Sequence, residues 1–240
     1  MKSLNNYIAE KLIINQRFDE KLIINQRFNE KLVINKNYNS YTCAPTTFKE
    51  LVKIIEQRYK EQGPGTEKNP IDFNDVDVSN IDSFYNANTN EGIFDATKFE
   101  YIDISDWDVS NVKIMNYMFY NCEKLKFVGD LSNWDVSNVE DMNYMFSNCG
   151  IESVGNLSKW DVSGVNRMHG MFKGCCNLKS VGDLSNWNIL KLRDVGWMFT
   201  WCSNLTSVGD LSKWNISGLR DVSYMFEGSG IKNTPNWYKK

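Results

Sequence analysis

Two markers recur in fixed register along most of this chain. Trp107, Trp134, Trp160, Trp187 and Trp214 are spaced 27, 26, 27 and 27 residues apart, and the Met-Phe pairs ending at Phe119, Phe146, Phe172, Phe199 and Phe226 keep the same intervals. A unit this short cannot bury an apolar face by itself, so it is stable only when it stacks on its neighbours. An earlier, degenerate copy begins near Phe73, where Asp77-Val78-Ser79-Asn80-Ile81 matches Asp135-Val136-Ser137-Asn138-Val139 but the Trp and Met-Phe markers are missing. An atypical first unit is expected, because it must cover the core on one side and meet water on the other.

One unit can be read from Trp134. Ser137 followed three residues later by Glu140 forms a capping-box pattern, and Val139, Met142, Met145 and Phe146 then fall at i, i+3, i+6 and i+7. This spacing predicts a short helix. The stretch equivalent to Leu125-Lys126-Phe127-Val128-Gly129-Asp130 has the length and apolar content of a short strand, closed at a bend by Gly129, Gly155, Gly182 and Gly209. The expected fold class is therefore α/β, a solenoid of about six coils of 26–27 residues. Strands stacked about 4.8 Å apart beside helices that need about 8–10 Å would curve the array.

The expected domains are a leader over 1–40, a capping helix and linker over 41–72, and the solenoid over 73–240. In the leader, Glu10-Lys11-Leu12-Ile13-Ile14-Asn15-Gln16-Arg17-Phe18-Asp19 is nearly repeated by Glu20-Lys21-Leu22-Ile23-Ile24-Asn25-Gln26-Arg27-Phe28-Asn29. Leu4, Tyr7, Ile8 and Leu12 suit an amphipathic helix there, whereas Leu-Ile-Ile suits a strand. Thr47-Phe48-Lys49-Glu50 is a second capping box, and Phe48, Leu51, Ile54, Ile55 and Tyr59 form a helical stripe that stops before Gly63-Pro64-Gly65. This helix is expected to plug the open end of the solenoid.

The unit Asn133-Trp134-Asp135-Val136-Ser137-Asn138-Val139, with Met142, Met145-Phe146 and Cys149, resembles the repeat of BspA-like leucine-rich-repeat surface proteins, a group that includes bacterial lipoproteins. The resemblance covers about residues 73–230. It implies a leucine-rich-repeat-like fold and a role in adhesion or partner recognition without enzymatic activity. The helix over 47–62 is similar to the cap helix that precedes such repeats. The leader is similar to short leaders on phage-encoded proteins of gut bacteria, which implies a phage or prophage origin.

Composition narrows the function classes. Lys and Arg total 27 against 30 for Asp and Glu, so a formal charge of −3 supplies no general attraction to nucleic acid or anionic membrane. No apolar run approaches the roughly 18 residues needed to span a bilayer, and membrane insertion is not expected. The first ten residues are too polar for a signal peptide, and Cys43 follows Asn39-Ser40-Tyr41-Thr42 instead of a lipobox. The expectation is a cytoplasmic or virion-associated protein. Cys122, Cys149, Cys175 and Cys202 recur once per repeat and read as small buried apolar side chains.

No catalytic, cofactor or metal-ligating set stands out. His169 is the only histidine and takes a position held by Asn116, Asn143, Gly196 and Ser223 in other repeats, which reads as surface variation. Cys175-Cys176 lacks the partners of a zinc site. The column Asp108, Asp135, Asp161, Asn188 and Asn215 reads as turn caps in preference to a calcium ladder. The informative residues are the aromatic ones expected on the outer face: Tyr117, Tyr144, Trp197, Trp201 and Tyr224. Exposed aromatic side chains are favoured anchors of protein interfaces, and the alternative reading is that neighbouring rings stack on each other between coils. Leu12, Phe18, Leu22 and Phe28 of the decapeptides are a second candidate contact element, whose repetition would raise effective concentration at a multimeric partner. The expected partner is a protein, either a host surface protein or a multimeric particle.

Overall fold

The computed structural model describes residues 41–239 apart from Asp95 and Thr97, so the decapeptides and their candidate residues Leu12, Phe18, Leu22 and Phe28 lie outside the described residues. Among the described residues the first regular element is helix α1 (Phe48–Gln62). Thr47 caps it by accepting from the Glu50 amide at 3.2 Å. The Glu50 carboxylate reaches back to the Thr46 amide at 2.9 Å, one residue earlier than the simplest capping box. Gly63, at φ +74°, ends the helix with a left-handed residue that glycine adopts without steric cost. Leu51 and Ile55 are fully buried, and Tyr59 meets Phe99 edge-on at 5.1 Å. Arg58 lies over the Phe73 ring at 5.0 Å and pairs with Asp75 at 2.6 Å, so α1 is fastened to the first repeat by packing and by charge.

Two small sheets follow. Strand β1 (Ile71–Asp72) pairs in parallel with β4 (Ile102–Asp103), and β2 (Tyr85–Asn86) forms an antiparallel hairpin with β3 (Glu91–Gly92). The ladder therefore starts ahead of residue 73, since Ile71 and Asp72 and the bridge Cys43↔Val76 already belong to it. From there the repeats are joined by single parallel bridges in one column: Ser83↔Ile114, Ile114↔Asp141, Asp141↔Arg167, Arg167↔Asp194 and Asp194↔Asp221. On the second side, the expected strand near Leu125–Asp130 is reduced to the bridges Tyr101↔Phe127 and Ser153↔Ser180.

The predicted helix in each repeat does not form, and α1 is the only α-helix among the described residues. The stretch after Asp141 is instead a run of tight turns. The amides of Met145, Ser147 and Cys149 bond to carbonyls three residues back, at Met142, Tyr144 and Phe146. The alternate amides, of Met142, Tyr144, Phe146 and Asn148, reach across to Arg167, His169, Met171 and Lys173 of the next repeat at 2.6–2.9 Å. An α-helix would consume every amide within its own segment. Here half of them are spent on the neighbour, and the left-handed backbone at Tyr144 (φ +54°) and Asn148 (φ +55°) turns them outward. The capping-box reading fails with the helix, since Ser137 has its amide bonded to the Asp135 carboxylate in an Asx turn. Without helices in the repeats, the expected mismatch between strand and helix spacing has no counterpart.

The inward residues are those expected. Val139, Met142, Met145, Phe146 and Cys149 are at most 1% exposed, and so are their counterparts in the neighbouring repeats. The rings of Phe94, Phe119, Phe146, Phe172, Phe199 and Phe226 stack one on the next, with centroids 5.1–6.1 Å apart and planes within 14° of parallel. That separation is close to the spacing of hydrogen-bonded strands, so ring stacking and the backbone ladder are satisfied by one repeat-to-repeat distance. Phe94 fills the column in the degenerate first unit, which has no Met-Phe pair of its own.

Tryptophan forms a second ladder. The indole Nε1 of Trp107, Trp134, Trp160, Trp187 and Trp214 donates to the carbonyls of Phe73, Ile104, Leu131, Leu157 and Leu184 in the preceding repeat, at 2.8–3.2 Å. Trp237 continues the column by donating to Leu211 at 2.9 Å, and its ring stacks on Trp214. Sequence spacing alone does not show this last member, which lies only 23 residues beyond Trp214. Where the chain turns after Gly129, Gly155, Gly182 and Gly209, φ lies between +82° and +89°. At Gly182 a Cβ would meet the Asn156 Oδ1 of the preceding repeat at 2.0 Å, which is why the position is glycine.

Candidate functional site

The candidate aromatic column sits on the outer side of the turn-rich stretch. Tyr117, Tyr144, Gly170, Trp197 and Tyr224 all have φ between +54° and +60°. The column four residues further on, Asn121, Asn148, Gly174, Trp201 and Gly228, is left-handed as well. Glycine and asparagine suit such backbone, whereas a Trp or Tyr there is strained by its own Cβ. The side chain points outward because the left-handed residue turns its amide to the next repeat, and not because of the helical rotation expected from sequence.

The rings divide into two groups. Tyr85, Tyr117 and Tyr144 stack at 5.7 and 5.3 Å with planes 25° and 21° apart, and Tyr144 meets the His169 ring edge-on at 5.2 Å. This half-buried run raises the phenol pKa of both Tyr117 and Tyr144, chiefly through desolvation. At Gly170 the column is interrupted, because a Cβ there would meet the Tyr144 ring at 2.6 Å.

Beyond the gap the rings are more open. Trp201 and Tyr224 are 55% and 54% exposed, the two most exposed of the large hydrophobic side chains among the described residues. Trp197 packs against Tyr224 at 5.1 Å, and Lys173 holds its ammonium 4.2 Å from the Trp197 ring centre and 5.8 Å from that of Trp201. The Trp201 indole is itself supported from below: a Cβ at Gly228 would meet its Cδ1 at 2.4 Å. Two indoles, one tyrosine and one cation thus form a continuous patch on the last three repeats.

The other candidates are placed as follows. Asp108, Asp135, Asp161 and Asn215 each accept from the amide two residues on, at 3.0–3.2 Å, and Asn188 makes the same contact at 3.4 Å. The Cys122, Cys175 and Cys202 thiols donate to carbonyls at 2.8–2.9 Å in the core. Burial pushes the thiol pKa of Cys149 and Cys175 well up, and that of Cys202 to about 12. These are structural side chains and poor nucleophiles. Cys176 is exposed and has no cysteine partner.

His169 is drawn into a side-chain pair that sequence position did not suggest. Its Nδ1 lies 3.0 Å from Asp194 Oδ1 of the next repeat, and its amide donates to the Asn143 side chain at 2.8 Å. Asp141, one repeat earlier, is nearly buried and is neutralised by Arg167, whose Nη2 lies at 2.5 Å. With its amide oriented to satisfy both groups, Asn116 donates to the Asp141 carboxylate at 2.7 Å. No signal within a single repeat reveals these pairs, since each joins residues 25 or 26 positions apart. The left-handed columns do carry a readable signal, in the alternation of Asn and Gly at Asn121, Asn148, Gly174 and Gly228.

Among the described residues no helix is long and apolar enough to cross a membrane. No curated protein and no solved structure matches the chain. Two overlapping stretches, residues 67–153 and 126–237, match a family described as Mycoplasma protein of unknown function, DUF285. The matched stretches contain the Trp ladder, the Phe stack and the left-handed aromatic column. By this match over most of its length, the chain belongs to the DUF285 family.

Proposed function

We propose that this chain is a non-catalytic protein-recognition or adhesion module, built as a leucine-rich-repeat-like solenoid of the BspA-like kind. Its contact face is centred on Trp197, Trp201 and Tyr224, with Tyr117 and Tyr144 extending it. One observation carries the reading: Trp201 and Tyr224 stay more than half exposed on left-handed backbone, at φ +59° and +55°, and at the Trp201 position both neighbouring repeats place glycine, Gly174 and Gly228. Such a conformation costs a bulky residue about 1–2 kcal/mol relative to glycine. Exposed Trp and Tyr supply large, rigid, amphipathic contact area, the kind found at the energetic centres of protein interfaces. Lys173 adds a positive charge that an acidic side chain of the partner could meet.

The near-identical decapeptides favour a second reading, in which a leader repeating Leu12, Phe18, Leu22 and Phe28 docks the chain on a multimeric particle of phage type and the repeats serve as a displayed head. The two readings separate in one experiment on the full chain. Quantitative pull-downs, read by mass spectrometry from lysates with and without assembled particles, would compare three forms: wild type, Trp201→Gly with Tyr224→Gly, and alanine at all four leader positions. The recognition reading expects the glycine pair to lower partner recovery about tenfold or more. The thermal midpoint should stay near wild type, because relief of backbone strain offsets a cation–π contact of about 0.5–1 kcal/mol. Unchanged recovery with the glycine pair would overturn it, and loss only with the leader variant would favour docking on a particle.

A further inference from the structure

The bridge column Ile114, Asp141, Arg167, Asp194 and Asp221 sets one side chain from each repeat beside the next. At Asp141 the charge is met, because Arg167 of the following repeat turns both Nε and Nη2 to its carboxylate at 2.5 Å. At Asp194 the following repeat presents Asp221 instead, so two carboxylates become direct neighbours. Like charges opposite one another in a ladder repel. The nearby Arg193 does not relieve them, since its Nη1 is directed to the carbonyls of Leu190, Leu192 and Gly218.

A third donor completes the group. His169 Nδ1 lies 3.0 Å from Asp194 Oδ1, and one ligand atom from each of His169, Asp194 and Asp221 can be chosen so that all lie within 4.8 Å of one another. His169 and Asp221 are two repeats apart and meet only because the residue between them is Gly196. A Cβ at that position would come within 2.9 Å of Asp221 Oδ2. Other repeats carry Asn116 and Asn143 at this point. Both carboxylates are held in place by Asx turns, Asp194 by the Gly196 amide at 2.9 Å and Asp221 by the Ser223 amide at 2.8 Å and hydroxyl at 2.5 Å.

We propose that His169, Asp194 and Asp221 bind a divalent transition-metal ion of the zinc class, linking three consecutive repeats. Nitrogen and oxygen ligands at about 2.0–2.2 Å from such an ion stand about 3.0–4.2 Å from each other, so the observed separations close with small side-chain movements. The imidazole selects zinc, nickel, cobalt or copper over magnesium and calcium, which prefer oxygen-only sites. Three protein ligands leave further positions to water or to a carboxylate of a partner.

The test is equilibrium dialysis and cobalt absorption spectroscopy on the full chain, with Cys43→Ser and Cys176→Ser so that the accessible thiols cannot supply the signal. Zinc and cobalt should bind at one ion per chain, raise the thermal midpoint, and be unaffected by excess magnesium or calcium. His169→Asn and Gly196→Asn install residues that other repeats already use; the first should keep the wild-type melting curve, and the second should fold with a slightly lower midpoint because its Cβ displaces the Asp221 carboxylate. Each should nevertheless weaken binding about tenfold or more, as should Asp221→Asn. Absence of zinc and cobalt binding in the parent, or equal binding by His169→Asn, would overturn the site.

Discussion

Trp160→Ala is the perturbation that best separates the forces holding one repeat to the next. The Trp160 ring is 3% exposed, and its Nε1 donates to the Leu131 carbonyl of the preceding repeat at 2.9 Å. Truncating a buried Trp to Ala costs about 3–5 kcal/mol through lost transfer energy and the cavity left behind. The Leu131 carbonyl would not be orphaned, because it also accepts from the Trp134 amide at 3.1 Å. Loss of the indole bond itself is therefore worth only about 0.5–1.5 kcal/mol. Trp160→Phe separates the two contributions, since it keeps most of the ring and removes the donor, and its cost should be less than half that of the alanine. For a folded unit of about 200 residues each kcal/mol shifts the melting midpoint by about 2–4 °C, so Trp160→Ala should lower it by about 6–20 °C. Circular dichroism melts and urea titrations of the full chain would measure both. A fall in the urea slope would mean that the repeats on either side have begun to unfold separately. A shift of less than about 2 °C would refute the buried, repeat-bridging role of the ring.

Gly182→Ala should cost about 2–3 kcal/mol, since φ +84° is unfavourable for alanine and its Cβ would displace the Asn156 side chain that caps the next turn; wild-type stability in a urea titration would contradict the proposed collision. Stability should also fall at both ends of the pH scale. The Ser132, Ser163 and Ser212 hydroxyls and amides hold the Asp130, Asp161 and Asp210 carboxyls below their ordinary 3.8, so their contribution is present above that value and is lost as pH falls through the lowered folded pKa. The buried thiols act in the opposite sense: with Cys202 raised from 9.0 to about 12, its contribution is present below 9.0 and is lost as pH rises through that window. A melting midpoint that is flat between those limits and drops on each side would agree, and an unchanged midpoint at pH 10.5 would count against thiol burial.

The sequence by itself determined which side chains face inward. Val139, Met142, Met145, Phe146 and Cys149 are the residues whose burial yields the most transfer energy, and their recurrence every 26 or 27 positions leaves no other continuous core. It also located α1, because Thr47, Gly63 and the stripe between them act within one segment. The same spacing misled on secondary structure. Apolar residues at i, i+3, i+6 and i+7 fit an α-helix, but they fit equally a run of three-residue turns interrupted by left-handed Tyr144 and Asn148. What decides between these is where the amides of Met142, Tyr144, Phe146 and Asn148 find acceptors, and those acceptors belong to the next repeat. The aromatic column, with stacking of its tyrosines between repeats as one of its two readings, could be nominated from sequence, whereas the cation–π contact of Lys173 and the convergence of His169, Asp194 and Asp221 could not. Each of these two joins residues of different repeats, which become neighbours only when tertiary stacking sets which positions lie above one another.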